Sequence, residues 1–155
     1  MNRTHVLLAG ALACAASVST VAGAEGGAPP ARTARVAKVG LRNTSLGKIL
    51  VNASGFTLYR FTKDPRNRDT CVKISECANV WPALRTSGKP TAGPGVRASL
   101  LSTIKLPGGA KQVTYAGHPL YLYAPASERA ETSYVGAMQF GGTWYAVNAA
   151  GNTVK

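Results

Sequence analysis

Leu58-Tyr59-Arg60-Phe61-Thr62-Lys63-Asp64 and Leu120-Tyr121-Leu122-Tyr123 are two copies of one pattern, each a few residues after a glycine, Gly55 or Gly117. Val51, Gly55, Leu58, Tyr59 and Phe61 each find a like residue 62 positions on, at Val113, Gly117, Leu120, Tyr121 and Tyr123. A constant offset of this kind marks an internal duplication, which constrains the fold before any single element does. Around the copies the periodicity is that of strands: short apolar runs interrupted by glycine, proline or asparagine. Lys48-Ile49-Leu50-Val51 and Phe56 to Phe61 flank Asn52-Ala53-Ser54-Gly55 as a hairpin would, and Gln112 to Tyr115 and Pro119 to Tyr123 flank Ala116-Gly117-His118 in the same way. Thr143 to Val147 reads as a closing strand, with a turn at Ala149 to Asn152 and edge residues Thr153-Val154; only Arg97 to Ile104 suggests a short helix. The expected class is all-β, a small single domain of two related hairpin repeats. Alternation puts Phe56 and Leu58 on one side and Tyr59 and Phe61 on the other, with Leu120 and Leu122 opposed to Tyr121 and Tyr123. Both strand faces are apolar, as for strands between layers or beside an aromatic surface.

The N-terminus supplies the compartment. Residues 1–24 have a basic start at Arg3, an apolar stretch from about Val6 to Val21 and the small residues Ala22-Gly23-Ala24, the form of a removable export signal. Ala11-Leu12-Ala13-Cys14 is an imperfect lipobox with its first two positions swapped, so the alternative to cleavage after Ala24 is lipidation at Cys14 and a membrane anchor. Glu25 to Lys38, rich in Gly, Ala and Pro, is expected to be a flexible basic linker. The folded domain is then 39–155, with halves at about 46–90 and 110–155.

Removing residues 1–24 leaves Cys71 and Cys77, whose short spacing in an oxidising compartment reads as a disulfide. Zinc is disfavoured by that spacing and by His118 being the only histidine past the signal. The whole chain carries 18 basic and 6 acidic residues, a formal charge of +12, of which the signal removes only Arg3. Export turns the inference from nucleic acid toward anionic wall polymer, acidic polysaccharide or anionic lipid head groups.

Tyr59-x-Phe61-x-x-Asp64, then Cys71, Cys77 and Trp81-Pro82, then Tyr115-x-Gly117-His118-Pro119-Leu120-Tyr121 together resemble the bacterial secreted-repeat lipoproteins marked by a Tyr-x-aromatic-x-x-Asp motif, a family without an established activity. The resemblance covers about Leu46 to Val147. It implies a cell-envelope location, a duplicated β module and no assigned catalytic residues. Ala126 stands where the second copy would carry the aspartate, which weakens any role needing two equivalent aspartates.

The residues with chemical potential are few. Asp64 precedes Pro65, where a carboxylate fixes a turn by accepting backbone N–H groups; its functional alternative is a cation ligand or a partner for a tyrosine hydroxyl. Calcium would want clustered acids, and Asp64, Asp69 and Glu76 are interleaved with Arg66, Arg68 and Lys73. His118 lies in a turn, the setting of a hydrogen-bonding residue more often than of a catalyst. There is no G-x-S-x-G, H-E-x-x-H or phosphate-binding glycine loop, and choosing two of the five acids Asp64, Asp69, Glu76, Glu128 and Glu131 as a glycosidase pair has no motif behind it. The aromatic set Tyr59, Phe61, Trp81, Tyr115, Tyr121, Tyr123, Trp144 and Tyr145 reads either as core or as a surface for sugar rings. The expected function is therefore a noncatalytic envelope module without metal, cofactor or nucleic acid, contacting anionic wall polymer or membrane through Arg60, Lys63, Arg66, Arg68 and Lys73. The alternative is an envelope redox, metal or cofactor-binding protein using Asp64, His118 and the tyrosines.

Overall fold

The computed structural model describes residues 35–155. The expected export signal, Cys14 and the linker up to residue 34 lie outside the described residues. In chain order the strands are β1 (Lys38–Thr44), β2 (Gly47–Asn52), β3 (Tyr59–Phe61), β4 (Arg85–Thr86), β5 (Thr91–Ala92), β6 (Leu101–Lys105), β7 (Lys111–Tyr115), β8 (His118–Pro119), β9 (Ala137–Gln139), β10 (Gly142–Val147) and β11 (Thr153–Val154), with one short helix, α1 (Cys77–Val80). Three small sheets result, ordered β2-β1-β5, β11-β10-β3 with β9 on β10, and β4-β7-β6 with β8 on β7. The domain is all-β apart from α1 and two 3-10 turns.

Each repeat starts with an antiparallel hairpin. β1 pairs with β2 from Val39↔Asn52 to Thr44↔Gly47, and β6 with β7 from Leu101↔Tyr115 to Lys105↔Lys111. Lys38 is paired with Thr91 in the parallel β1–β5 contact, and the Ala37 N–H donates to Thr86 Oγ1 at 3.0 Å. Two expectations need correction here. The stretch 97–104 forms only a 3-10 turn at Ala98–Leu100 before entering β6, because Ser102, Thr103 and Ile104 pair with β7, satisfying their backbone better than a short isolated helix would. The expected hairpin partner of Lys48–Val51 leaves after a single bridge, Val51↔Thr57, and the Leu58 N–H bond to the Leu50 carbonyl at 3.0 Å.

What the strand does next defines the fold. Tyr59 and Tyr121, equivalent in the two repeats, exchange both backbone hydrogen bonds at 2.9 Å. Equivalent residues meet in this way only at a two-fold axis. Around it the repeats trade strands: β3 of the first pairs with β10 of the second (Tyr59↔Ala146, Phe61↔Trp144), while Tyr121 of the second bridges Ala83 of the first. Trp81-Pro82-Ala83-Leu84 and Trp144-Tyr145-Ala146-Val147 are therefore counterparts, 63 rather than 62 positions apart. The offset also becomes 63 before the turn: Leu58 bonds to Leu50 where Leu120 bonds to Val113, because the first turn is one residue longer.

Alternation then sorts the side chains into two cores. Leu58, Leu120, Leu84 and Val147 join Val39, Leu50, Leu101 and Val113 in an aliphatic core. Tyr59, Phe61, Tyr121, Trp81 and Trp144 join Cys71 and Cys77 in an aromatic one. At Leu58-Tyr59 and Leu120-Tyr121 the strands are therefore buried on both faces, between the two cores.

Candidate functional site

The aromatic core is built symmetrically. Trp81 and Trp144 stack on each other with centroids 4.1 Å apart at 2°, each is met edge-on by a tyrosine at 5.1 Å (Tyr59 on Trp81, Tyr121 on Trp144), and each carries a further ring, Tyr123 on Trp81 at 4.6 Å and Phe61 on Trp144 at 4.1 Å. Offset stacks and edge contacts of this kind add to area burial. Tyr59, Phe61, Trp81, Tyr115, Tyr121 and Trp144 are all essentially inaccessible, so they form core rather than a platform for sugar rings. Only Tyr123 and Tyr145 of the expected aromatic set keep a partly open face.

Asp64 is buried and occupied. Oδ1 accepts from the Thr70 N–H at 2.8 Å and the Thr70 hydroxyl at 2.6 Å, and Oδ2 accepts the Tyr121 hydroxyl at 2.6 Å. Burial pushes its carboxyl above the ordinary carboxylate range, while the Thr70 and Tyr121 bonds pull the other way. The same burial, with the Asp64 charge, pushes the Tyr121 phenol far up, so Tyr121 stays a donor. The carboxylate thus ties the first-repeat loop to a second-repeat strand, and a cation would have to displace three donors. The loop is closed by a Cys71–Cys77 disulfide across a Cα–Cα distance of 5.4 Å, containing a 3-10 turn at Cys71–Lys73 and the start of α1. Asp69 caps that turn through the Val72 N–H at 2.9 Å. Glu76 instead binds Asn79 Nδ2 at 2.7 Å, away from the other two acids. Among the described residues no group of three or more His, Cys, Asp or Glu side chains is placed to hold a metal ion.

The basic residues expected to act together are divided. Arg68 and Lys73 are exposed on the disulfide loop. Lys63 lies along the β9–β10 turn, its Nζ 3.1 Å from where a Cβ on Gly141 would stand. Arg66 turns away to lay its guanidinium over Gly117: Nη1 donates to the Ala116 carbonyl at 3.0 Å, and a Cβ on Gly117 would stand 2.8 Å from Nη2. Gly117 has φ +80, so that turn requires glycine for both conformation and space. Arg60, half-buried on β3, points to the strand face opposite Tyr59, as does His118 relative to Tyr121. The pair Tyr59↔Tyr121 makes Arg60 and His118 diagonal neighbours on that face, with Tyr145 beside Arg60 in register on β10. Arg60 Nε and His118 Nδ1 are buried without a hydrogen-bond partner. Burial first, then the nearby Arg60 and Arg66 charges, hold the His118 imidazole below its ordinary value.

The sequence reading did not single out Arg66 and Arg129 as counterparts. The Asn67 N–H bonds to the Gly117 carbonyl at 2.7 Å, as the Ala130 N–H bonds to the Gly55 carbonyl at 2.8 Å, and Arg129 lies over Gly55 as Arg66 lies over Gly117. The signal was available, since Arg66 stands 11 positions after Gly55 and Arg129 stands 12 after Gly117. No helix of the described residues is long and apolar enough to cross a membrane. Comparison with curated proteins and with solved structures finds no match. The family described as "secreted repeat of unknown function" matches at residues 40–85 and 102–148, the two units that exchange strands about the Tyr59–Tyr121 axis, and the chain belongs to that family.

Proposed function

We propose that the protein is a noncatalytic exported module that associates with anionic cell-envelope material, wall polymer or lipid head groups, through its basic charge. The observation that carries this reading is the imbalance of 18 basic over 6 acidic residues in a secreted-repeat chain. Two features of the folded domain support it. Asp64 and Asp69, two of the few acids, are buried in hydrogen bonds and do little to neutralise the surface, whereas Arg68 and Lys73 project from a loop that the disulfide keeps compact. Coulombic attachment of this kind is long-ranged at low salt and collapses as the screening length shrinks from about 10 Å at 0.1 M to about 3 Å at 1 M ionic strength.

The test is co-sedimentation of the exported protein with envelope fractions over a salt series, with neutral glycan as the control. Retention should fall steeply with salt, and the charge reversals Arg68→Glu and Lys73→Glu should lower both retention and its salt dependence. Retention indifferent to salt and to both reversals would remove the reading.

A further inference from the structure

The two-fold axis provides an internal control for the strand positions around it, because each of these has a counterpart in the other repeat. Arg60, His118 and Tyr145 map onto Leu122, Phe56 and Pro82. On that second side Leu122, Phe56 and Pro82 line a cavity of about 210 Å³, together with Tyr123 and Ala126. The scaffold thus furnishes equivalent strand positions differently in the two repeats, apolar around a cavity on one side and cationic at Arg60 and His118 on the other. We propose that the cationic side, formed by Arg60 and His118 with Arg66 beside them, is a discrete binding notch for a phosphate-type oxyanion, an inference that rests on the envelope-binding reading above and names its ligand chemistry.

Unfilled bonding capacity is the main argument. Arg60 Nε and His118 Nδ1 are removed from solvent and unpartnered, although buried polar groups in folded proteins are nearly always satisfied. Arg66 spends Nη1 on the Ala116 carbonyl, which fixes its guanidinium beside His118 and leaves its other N–H groups available. Donors on three chain segments suit an anion with several acceptor oxygens, and guanidinium groups are the usual partners of phosphate. The groups around the imidazole are also unbalanced. Arg60 faces it from β3 and Arg66 from the following turn, Lys155 stands over the neighbouring Tyr145 at 5.8 Å, and Asp64, the acid nearest Arg60, is engaged with Thr70 and Tyr121. A bound oxyanion would reverse the local sign and favour imidazolium, so binding and protonation of His118 are coupled.

Glycerophosphoglycerol, a phosphodiester of fixed charge, is the probe. NMR titration of the His118 imidazole in the exported protein should show its midpoint rising by about one unit at saturation, which by reciprocity makes the affinity about tenfold higher for the protonated form. Arg60→Leu with His118→Phe copies the furniture of the other repeat, so this double variant has a precedent for folding; it should abolish stoichiometric binding, and His118→Gln should remove its pH dependence. Arg68→Gln and Lys73→Gln should leave the NMR-detected site intact. Soluble poly(glycerol phosphate) and phosphatidylglycerol vesicles then separate the wall from the lipid source, since only the true source should compete with the probe through Arg60. An unchanged His118 midpoint, a stronger response to polyuronate than to phosphodiester, or equal losses from Arg68→Gln and Arg60→Leu would overturn the notch. Salt-dependent co-sedimentation that persists in those cases would leave the envelope reading standing, whereas its loss alongside an intact His118 response would remove that reading alone.

Discussion

The two repeats place matching side chains around one axis and then stabilise their loops by different means. The first-repeat loop is held by covalent and hydrogen-bond chemistry: a buried carboxyl group with three donors and a disulfide across a sequence separation of six. The second-repeat loop has Ala126 in place of the aspartate and no cysteine. It relies on rings and main chain instead, with Tyr134 tilted onto Tyr123 at 3.8 Å and the Glu131 carbonyl accepting Thr57 Oγ1 at 2.7 Å and the Tyr59 hydroxyl at 3.2 Å. Each loop reaches into the other repeat. The lesson is that the shared framework lies in the strands and the Trp pair, while the loops were free to diverge, because each needs only to fasten one tyrosine of the opposite copy.

This comparison can be broken first at the tryptophans. Trp81→Ala and Trp144→Ala should each cost about 3–5 kcal/mol, the usual range for deleting a large buried aromatic, and by similar amounts, as read from urea unfolding. A large cost at only one of them would show that the axis is geometric but not energetic. The next effect separates the loops. Reduction of the disulfide, or Cys71→Ala with Cys77→Ala, should cost about 2 kcal/mol by the chain-entropy relation for so small a loop, and should increase hydrogen exchange in 62–80 while leaving 124–136 unchanged. Equal loosening of both loops would mean they are not independent.

The tyrosines sharpen the contrast. Tyr121→Phe removes a donor from buried Asp64 and should cost about 1–2 kcal/mol, less than full loss of satisfaction because Thr70 still donates twice. Tyr59→Phe, which gives up only a long bond to a carbonyl, should cost less. The smallest effect is at His118. Its folded-state proton affinity lies below the unfolded one, so the unfolded chain takes up the proton first, and stability should decline as the pH falls below about 6.5. His118→Gln should flatten that part of the pH–stability profile, and an unchanged slope would assign it to the carboxylates.

Much of this was legible in the chain. The parity of Leu58-Tyr59 and Leu120-Tyr121 already separates an aliphatic from an aromatic side, and the structure places those residues in two different cores. The pairing of Cys71 with Cys77 followed from spacing and compartment, and it forms. The correspondence of Trp81-x-Ala-Leu84 with Trp144-x-Ala-Val147 was hidden by one residue, since a turn of different length changes the offset and hides counterparts from a fixed-interval comparison. The directions that Lys63 and Arg66 take were not legible in their grouping with Arg60, Arg68 and Lys73, because proximity along a turning chain says little about direction. Arg66 goes to Gly117 and Lys63 to Gly141, each side chain occupying the space that a glycine leaves by having no Cβ.

By itself the sequence determined that the chain is a duplicated β module with two-sided apolar strands, a short disulfide loop and a strong excess of positive charge, since each of these is a property of local pattern, spacing or composition. Only the tertiary structure decided that the copies exchange strands, that Tyr59 and Tyr121 meet on an axis with Trp81 stacked on Trp144, and that Arg60, Arg66 and His118 come together. The physical reason is that a strand's pattern specifies which faces it must bury but not which strand it pairs with. Pairing is settled by the closure of the whole core, and with two similar copies available, β3 and the Tyr121 strand found partners in the opposite copy while the hairpins β1–β2 and β6–β7 paired within their own.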